Sequence, residues 1–148
     1  MMRSNKKQND VSSISQQLRL PWDGKAIRID LESGNPSPSG KLVLTASRTA
    51  STGRFGWSFS LAIDGGELKE AEPGAALVAP ENGYLAVWQF RYASDANPWR
   101  FSRDANVYYR LNSKFGRLKL QIYADASPTD VSIHFEKFVN NSGGRNTE

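Results

Sequence analysis

Apolar side chains recur at every second position along most of this chain. Phe55, Trp57, Phe59, Leu61 and Ile63 alternate with Gly56, Ser58, Ser60, Ala62 and Asp64, the pattern of a strand with one face buried and the other small or polar. The same period runs through 130–136, where Val131, Ile133 and Phe135 oppose Ser132, His134 and Glu136. It recurs in 117–124, with Leu118, Leu120 and Ile122 against Lys119, Gln121 and Tyr123. Two more segments behave alike: 26–32 (Ile27, Ile29, Leu31 against Arg28, Asp30, Glu32) and 41–48 (Leu42, Leu44, Ala46 against Val43, Thr45, Ser47). In 106–111 the expected inner set is Val107, Tyr109 and Leu111, which leaves Tyr108 and Arg110 outside. The stretch 84–92 differs. Tyr84, Trp88, Phe90 and Tyr92 share one face while Leu85 and Val87 share the other, so a central strand, or one crossing between sheets, is predicted.

Turn residues punctuate these runs. Asp64-Gly65-Gly66 joins the strand ending at 63 to a short one near 67–71, and Glu81-Asn82-Gly83, Lys114-Phe115-Gly116 and Ala126–Asp130 mark further reversals. No stretch of ten or more residues carries a 3.6 period. Crossover helices are therefore missing, which excludes a parallel α/β sheet. Eight or nine strands in ~120 residues predict an all-β, antiparallel two-sheet β-sandwich of jelly-roll type, with a closed β-barrel as the alternative.

A chain of 148 residues suits one domain. Residues 1–20 are polar and poor in aromatics, and read as a disordered basic tail with at most a helical turn near Ser13–Leu18. The domain is placed at 21–139. Residues 140–148 offer no apolar side chain and read as a disordered C-terminal tail.

Charge changes the picture little. The net charge is +4, of which +3 sits in residues 1–20 (Arg3, Lys6, Lys7 and Arg19 against Asp10). The body lacks the clustered surplus that a nucleic-acid groove needs, so no nucleic-acid partner is expected. There is no cysteine, which removes disulfides, thiol catalysis and thiolate metal sites. Neither a signal-peptide pattern nor a run of ~20 apolar residues occurs. The expectation is a soluble chain, cytoplasmic by default and without membrane contact.

Candidate chemistry is sparse. His134 is the single histidine, on the outward face of its strand beside Ser132 and Glu136. A Ser–His–acid system would use it as base, but the Gly-x-Ser-x-Gly nucleophile turn is absent, and one histidine on a polar sheet face is ordinary. Asp30–Glu32 and Glu70–Glu72 share a strand face at i, i+2, as paired glycosidase acids would; neither pair sits among aromatics. Asp95, Asn97, Asp104 and Asn106 are oxygen donors for Ca²⁺ in number, but Arg100 and Arg103 lie among them and Asx-turns account for such residues more simply. No metal or other cofactor is expected. Tyr108, Tyr109, Arg110, Lys114, Phe115, Arg117 and Lys119 mix aromatic and basic groups, which reads as a solvated sheet face. Gly65-Gly66 lacks the following helix of a phosphate loop.

Trp57 and Trp88 lie on strands and belong to the core. Trp22, in Leu-Pro-Trp-Asp-Gly, and Trp99, in Asn-Pro-Trp-Arg-Phe, do not. Such rings either plug the ends of a sandwich or form platforms for a flat ligand face.

The C-terminal half runs Asn97-Pro98-Trp99, Tyr108-Tyr109-Arg110 and Phe115-Gly116-Arg117, and closes Asn140-Asn141-Ser142-Gly143-Gly144-Arg145-Asn146-Thr147-Glu148. Over roughly its last 50 residues it resembles an uncharacterised β-rich module at the C-terminal end of large bacterial multidomain or surface proteins. That module ends in an Asn-Pro-x-Gly-Ser-Arg-Asn-Leu-Glu-like tail; here Asn141 stands at its Pro, Gly144 at its Ser and Thr147 at its Leu. The resemblance implies an accessory or terminal module, not a catalyst, and carries no site across.

The expected function is therefore a non-catalytic binding module whose ligand is a glycan or a protein surface. Its expected site is loop-borne: Trp99, Arg100, Arg103 and Asp95, with Trp22 as a second platform. The alternatives are an interaction domain docking through a sheet edge or outer face (Tyr108, Arg110, Lys119 and Tyr123 outward) and a glycan-active hydrolase.

Overall fold

The structure, a computed structural model, describes residues 11–49, 55–72, 79–124, 129–140 and 145. Nine strands follow one another: β1 (Val11–Pro21), β2 (Ile27–Ile29), β3 (Leu42–Arg48), β4 (Trp57–Ile63), β5 (Gly66–Glu70), β6 (Val87–Tyr92), β7 (Ser102–Leu111), β8 (Lys114–Tyr123) and β9 (Asp130–Asn140). They form a five-stranded sheet, β1-β9-β8-β7-β5, and a four-stranded sheet, β2-β3-β4-β6. Every neighbouring pair is antiparallel. The fold is a β-sandwich. A closed barrel is not formed, because each sheet keeps two edge strands. Among the described residues no helix is long and apolar enough to cross a membrane.

The alternation sets the layers. Leu42, Leu44, Ala46, Trp57, Phe59, Leu61 and Ile63 from one sheet meet Val107, Tyr109, Leu118, Leu120, Ile122, Val131, Ile133 and Phe135 from the other, all buried in one core. The chain laces the two sheets together at three points. After β1, Asp23 bridges Ser47 of β3 in the other sheet. The Asp64–Gly65 turn, with Gly65 at φ 76°, hands the chain from β4 to β5 without pairing them. Leu85 exchanges both backbone hydrogen bonds with Leu68 of β5 just before β6 joins β4.

Three readings of the sequence need correction, and a fourth agrees with the structure in one of its two alternatives. Residues 11–20, expected to be disordered, form most of β1, which pairs with β9 along its whole length. Ile14, Gln16, Leu18 and Leu20 are its more buried set and Ser13, Ser15, Gln17 and Arg19 its exposed set. A glutamine in the inner set hides the period. Residues 1–10 of that expected tail lie outside the described residues. In the expected C-terminal tail, Asn140 ends β9 and the Arg145 carbonyl accepts the Ala79 N–H at 2.7 Å; the other residues of 141–148 lie outside the described residues. The turn placed at Lys114–Gly116 falls instead at Asn112–Ser113, with φ of 54° and 65°, the two left-handed positions of a two-residue hairpin. Finally, the aromatic stretch 84–92 does cross between sheets, but β6 is an edge strand, and Tyr84 belongs to a second cluster with Ala79 and Tyr108. The Ala126–Pro128 part of the last expected turn lies outside the described residues.

Burial raises the Tyr109 and Tyr84 phenols, each to about 12. A phenol held protonated by the fold loses its folded-state advantage as the unfolded chain ionises, so stability falls as pH rises from about 10 towards 12. Chemical denaturation at pH 9 and pH 11 checks this: a lower midpoint at pH 11 is expected, with Tyr84 and Tyr109 still contributing un-ionised phenol absorbance while the chain stays folded.

Candidate functional site

The loop residues expected to bind ligand are mostly spent on the scaffold. Trp22 is 9 % exposed, edge-on to Phe55 and to Trp57 at 6.1 Å from each. Its ring packs as a core plug, the first of the two roles the sequence offered for it. Trp99 is half-buried, meets Phe55 edge-on at 5.7 Å and donates its indole N–H to the Phe55 carbonyl at 2.9 Å. Arg103 lies on the inward parity of β7 with Ala105 and Val107. It pairs with both Glu70 oxygens at 2.9 and 3.0 Å and lies over Trp88 and Phe90. The Trp88 indole N–H donates to the same carboxylate at 2.8 Å. This latch closes the sandwich where β5 and β7 face β6. Its groups are partly exposed, so Arg103→Ala is expected to lose about 1–2 kcal/mol of stability, read as a lower thermal midpoint. Asp95 and Arg100 remain exposed on the loop, the latter lending only its carbonyl to the Trp57 indole at 2.8 Å.

The remaining sequence candidates are separated as well. Asp30 accepts from the Glu32 N–H and the Ser33 hydroxyl at 3.2 and 3.0 Å; these bonds hold its carboxyl below the usual range. Lys137, 7 % exposed, donates to the Leu31 carbonyl. Burial lowers its pKa, against the opposing pull of Glu32 and Asp30. The Asp30–Glu32 pair thus serves a turn and a buried lysine. Asn106 accepts from Arg117 at 2.7 Å, and among the described residues no three Asp, Glu or His side chains gather as a metal site would need.

The outer face of the five-stranded sheet is half covered. Tyr108, read as outward and accessible, does point outward but is 2 % exposed under Ala79 and Tyr84. Arg110 reaches Glu67 at 2.5 Å and the Glu81 carbonyl at 3.0 Å. Lys119 and Tyr123 stay open to solvent. His134 lies there too, its Nε2 2.9 Å from the Ser15 hydroxyl and its Nδ1 3.2 Å from Gln121 Oε1. Its hydrogen-bond partners come from β1 and β8, not from Ser132 or Glu136 on its own strand, and neither is a carboxylate.

The outer face of the four-stranded sheet is different. Register aligns Thr45, Ser60 and Gln89 in one row and Ser47, Ser58 and Arg91 in the next. The two inner strands present hydroxyls on short stems, whereas edge strand β6 presents long side chains. The middle of the face is therefore low and its edge high. The result is a groove of about 650 Å³ lined by Gly24, Thr45, Ser47, Ser58, Ser60, Gln89 and Arg91, with Ala46, Phe59 and Phe90 beneath. A second hollow of about 330 Å³ shares Ser47, Ser58 and Arg91 and continues to Thr49 and Gly56. The hydroxyls pair across the strands, Ser47 with Ser58 at 2.9 Å and Thr45 with Ser60. Each pair has two O–H groups and uses one between its members. One donor and several lone pairs per pair are left for a ligand.

Sequence reasoning passed over this face. Its residues were read as the polar complement of buried strands, and only the neighbour order β3-β4-β6 assembles them. Comparison with protein-family models, curated proteins and solved structures finds no match for this chain.

Proposed function

We propose that this chain is a non-catalytic binding module that holds a glycan in the groove on the outer face of its four-stranded sheet. The observation that carries this reading is the lining itself: paired hydroxyls from Thr45, Ser47, Ser58 and Ser60 beside the side chains of Gln89 and Arg91. Polyhydroxylated ligands exchange hydrogen bonds with water for hydrogen bonds with such groups, and orient by them. Hydrolysis of a glycoside needs two facing carboxylates, and the groove lining holds none, which supports binding over turnover. The accessory role implied by the C-terminal resemblance fits the same reading.

The site thus moves from the loop at 95–103 to the sheet face. Screening on a glycan array, followed by calorimetry on the best binder, tests it. Replacing Ser47 and Ser58 together by valine keeps the β-propensity of both strands and removes four hydrogen-bonding positions. At least a tenfold loss of affinity is expected, with the thermal midpoint little changed; binding that survives unchanged counts against this groove.

A second reading, docking of a protein through edge strand β6, is favoured by Leu85 and Val87, which are 67 % and 40 % exposed beside that edge. Exposed strand edges pair readily with other chains. Light scattering and cross-linking on the wild type and on Val87→Lys address it.

A further inference from the structure

We infer that the groove selects acidic glycans, with the carboxylate of a uronic acid seated on Arg91; the inference rests on the glycan reading above and specifies its ligand class. Arg91 is the one charged residue in the lining of the larger groove and borders both hollows; Arg48 lines the second hollow alone, with its guanidinium over the Phe55 ring. Its position across from Ser58, in the row with Ser47, puts a cationic fork beside a hydroxyl pair.

The other arginines show what an unused one means. Arg19 is tied to Asp130 at 3.0 Å, Arg28 to Asp64 at 2.5 Å, Arg103 to Glu70, Arg110 to Glu67 and Arg145 to Glu81. Arg48 lies over the Phe55 ring at 3.9 Å, and Arg117 donates to Asn106 and lies over Phe138. Among the described residues only Arg91 and Arg100 have no carboxylate, carbonyl or aromatic partner for the guanidinium. Arg100 stands on an exposed loop outside the two hollows, whereas Arg91 stands at the junction of both. Its planar fork matches a carboxylate bidentately, and such pairs are about twice as strong as neutral hydrogen bonds. The free Gln89 amide and the two hydroxyl pairs then meet the ring hydroxyls of the same sugar or its neighbour. A neutral glycan fills the same hydroxyl positions but leaves Arg91 solvated.

The test is calorimetric titration of the full chain with tetramers of galacturonate, glucuronate and mannuronate, each beside its own methyl ester, together with the best neutral binder from the array. The acid form of at least one tetramer is expected to bind about tenfold tighter than its ester, a preference that shrinks as salt rises from 20 to 500 mM. Arg91→Met is expected to abolish the acid preference, bringing acid and ester to the same affinity; Arg100→Met is expected to leave the preference intact. Acid and ester binding equally, with Ser47 and Ser58 still required, overturns the inference and leaves the glycan reading standing. An acid preference that survives Arg91→Met also overturns it. Failure of every acidic, esterified and neutral glycan to bind overturns both.

Discussion

Replacing Trp57 by alanine is expected to cost about 3–5 kcal/mol, a large share of the stability of an ordinary domain of this size. Trp57 is 2 % exposed. Its ring meets Trp22 at 6.1 Å, Phe90 at 5.2 Å and Tyr92 at 5.5 Å. It therefore ties the plug of the open end, the sheet interior and edge strand β6 into one aromatic cluster, and alanine would leave a cavity no neighbour can fill without leaving its own rotamer. The substitution also orphans the Arg100 carbonyl, which accepts the indole N–H at 2.8 Å. Trp57→Phe keeps most of the ring and loses that bond, for an expected loss of about 1–2 kcal/mol. Urea unfolding followed by far-ultraviolet circular dichroism separates the cases: Trp57→Ala should show a large fall in the midpoint and Trp57→Phe a smaller one. Near-wild-type stability of the alanine variant would show that this cluster does not hold the sandwich shut.

The second large effect is expected at Gly116. A Cβ there would stand 2.1, 2.3 and 2.4 Å from atoms of the Tyr109 ring, which lies directly across the β7–β8 pair. Tyr109 is 5 % exposed, so any shift of its ring displaces close-packed neighbours. Gly116→Ala is expected to destabilise by about 2–3 kcal/mol, the upper part of the range for overpacking. Tyr109→Ala costs stability on its own, by opening a cavity. Combined, the two changes should cost less than the sum of the single costs, because the second methyl fills space the ring has vacated. Denaturation midpoints of the three variants give the coupling; strict additivity would mean that ring and glycine do not compete for the same space.

Gly116 also shows where sequence reasoning stops. Its glycine was taken as a turn signal, but it gives room for a tyrosine on the facing strand, a need written at position 109 and not at 116. The real turn uses Asn112 and Ser113 in left-handed conformations, which neither residue announces as glycine would. Elsewhere the period of two was enough. The inward sets of β3, β4, β8 and β9 follow from it, because a pleated strand has only two faces and one of them must leave water. The period failed in β1, where Gln16 occupies an inner position and bonds Asn35 at 2.8 Å, a partner on a loop that no local pattern foretells.

The candidate site was less legible than the fold. Arg103 and Trp99 were visible as unusual residues, but their direction depends on what closes the rim of the sandwich: Glu70, 33 positions away from Arg103, and Phe55, 44 positions away from Trp99. Ser58 and Ser60 were visible only as the polar half of an alternation. That half becomes a groove when β3 and β6 flank β4 and bring Thr45, Ser47, Gln89 and Arg91 beside them, an arrangement set by strand order, on which each segment's own pattern is silent.

Chemical-shift mapping of backbone amides on titration with the best glycan from the array tests the central claim most directly. The account predicts saturable shifts concentrated at 45–47, 58–60 and 89–91, on three adjacent strands of one sheet face. Shifts gathered at the 95–103 loop or on the five-stranded sheet around His134, with the amides of the groove unmoved, would contradict it.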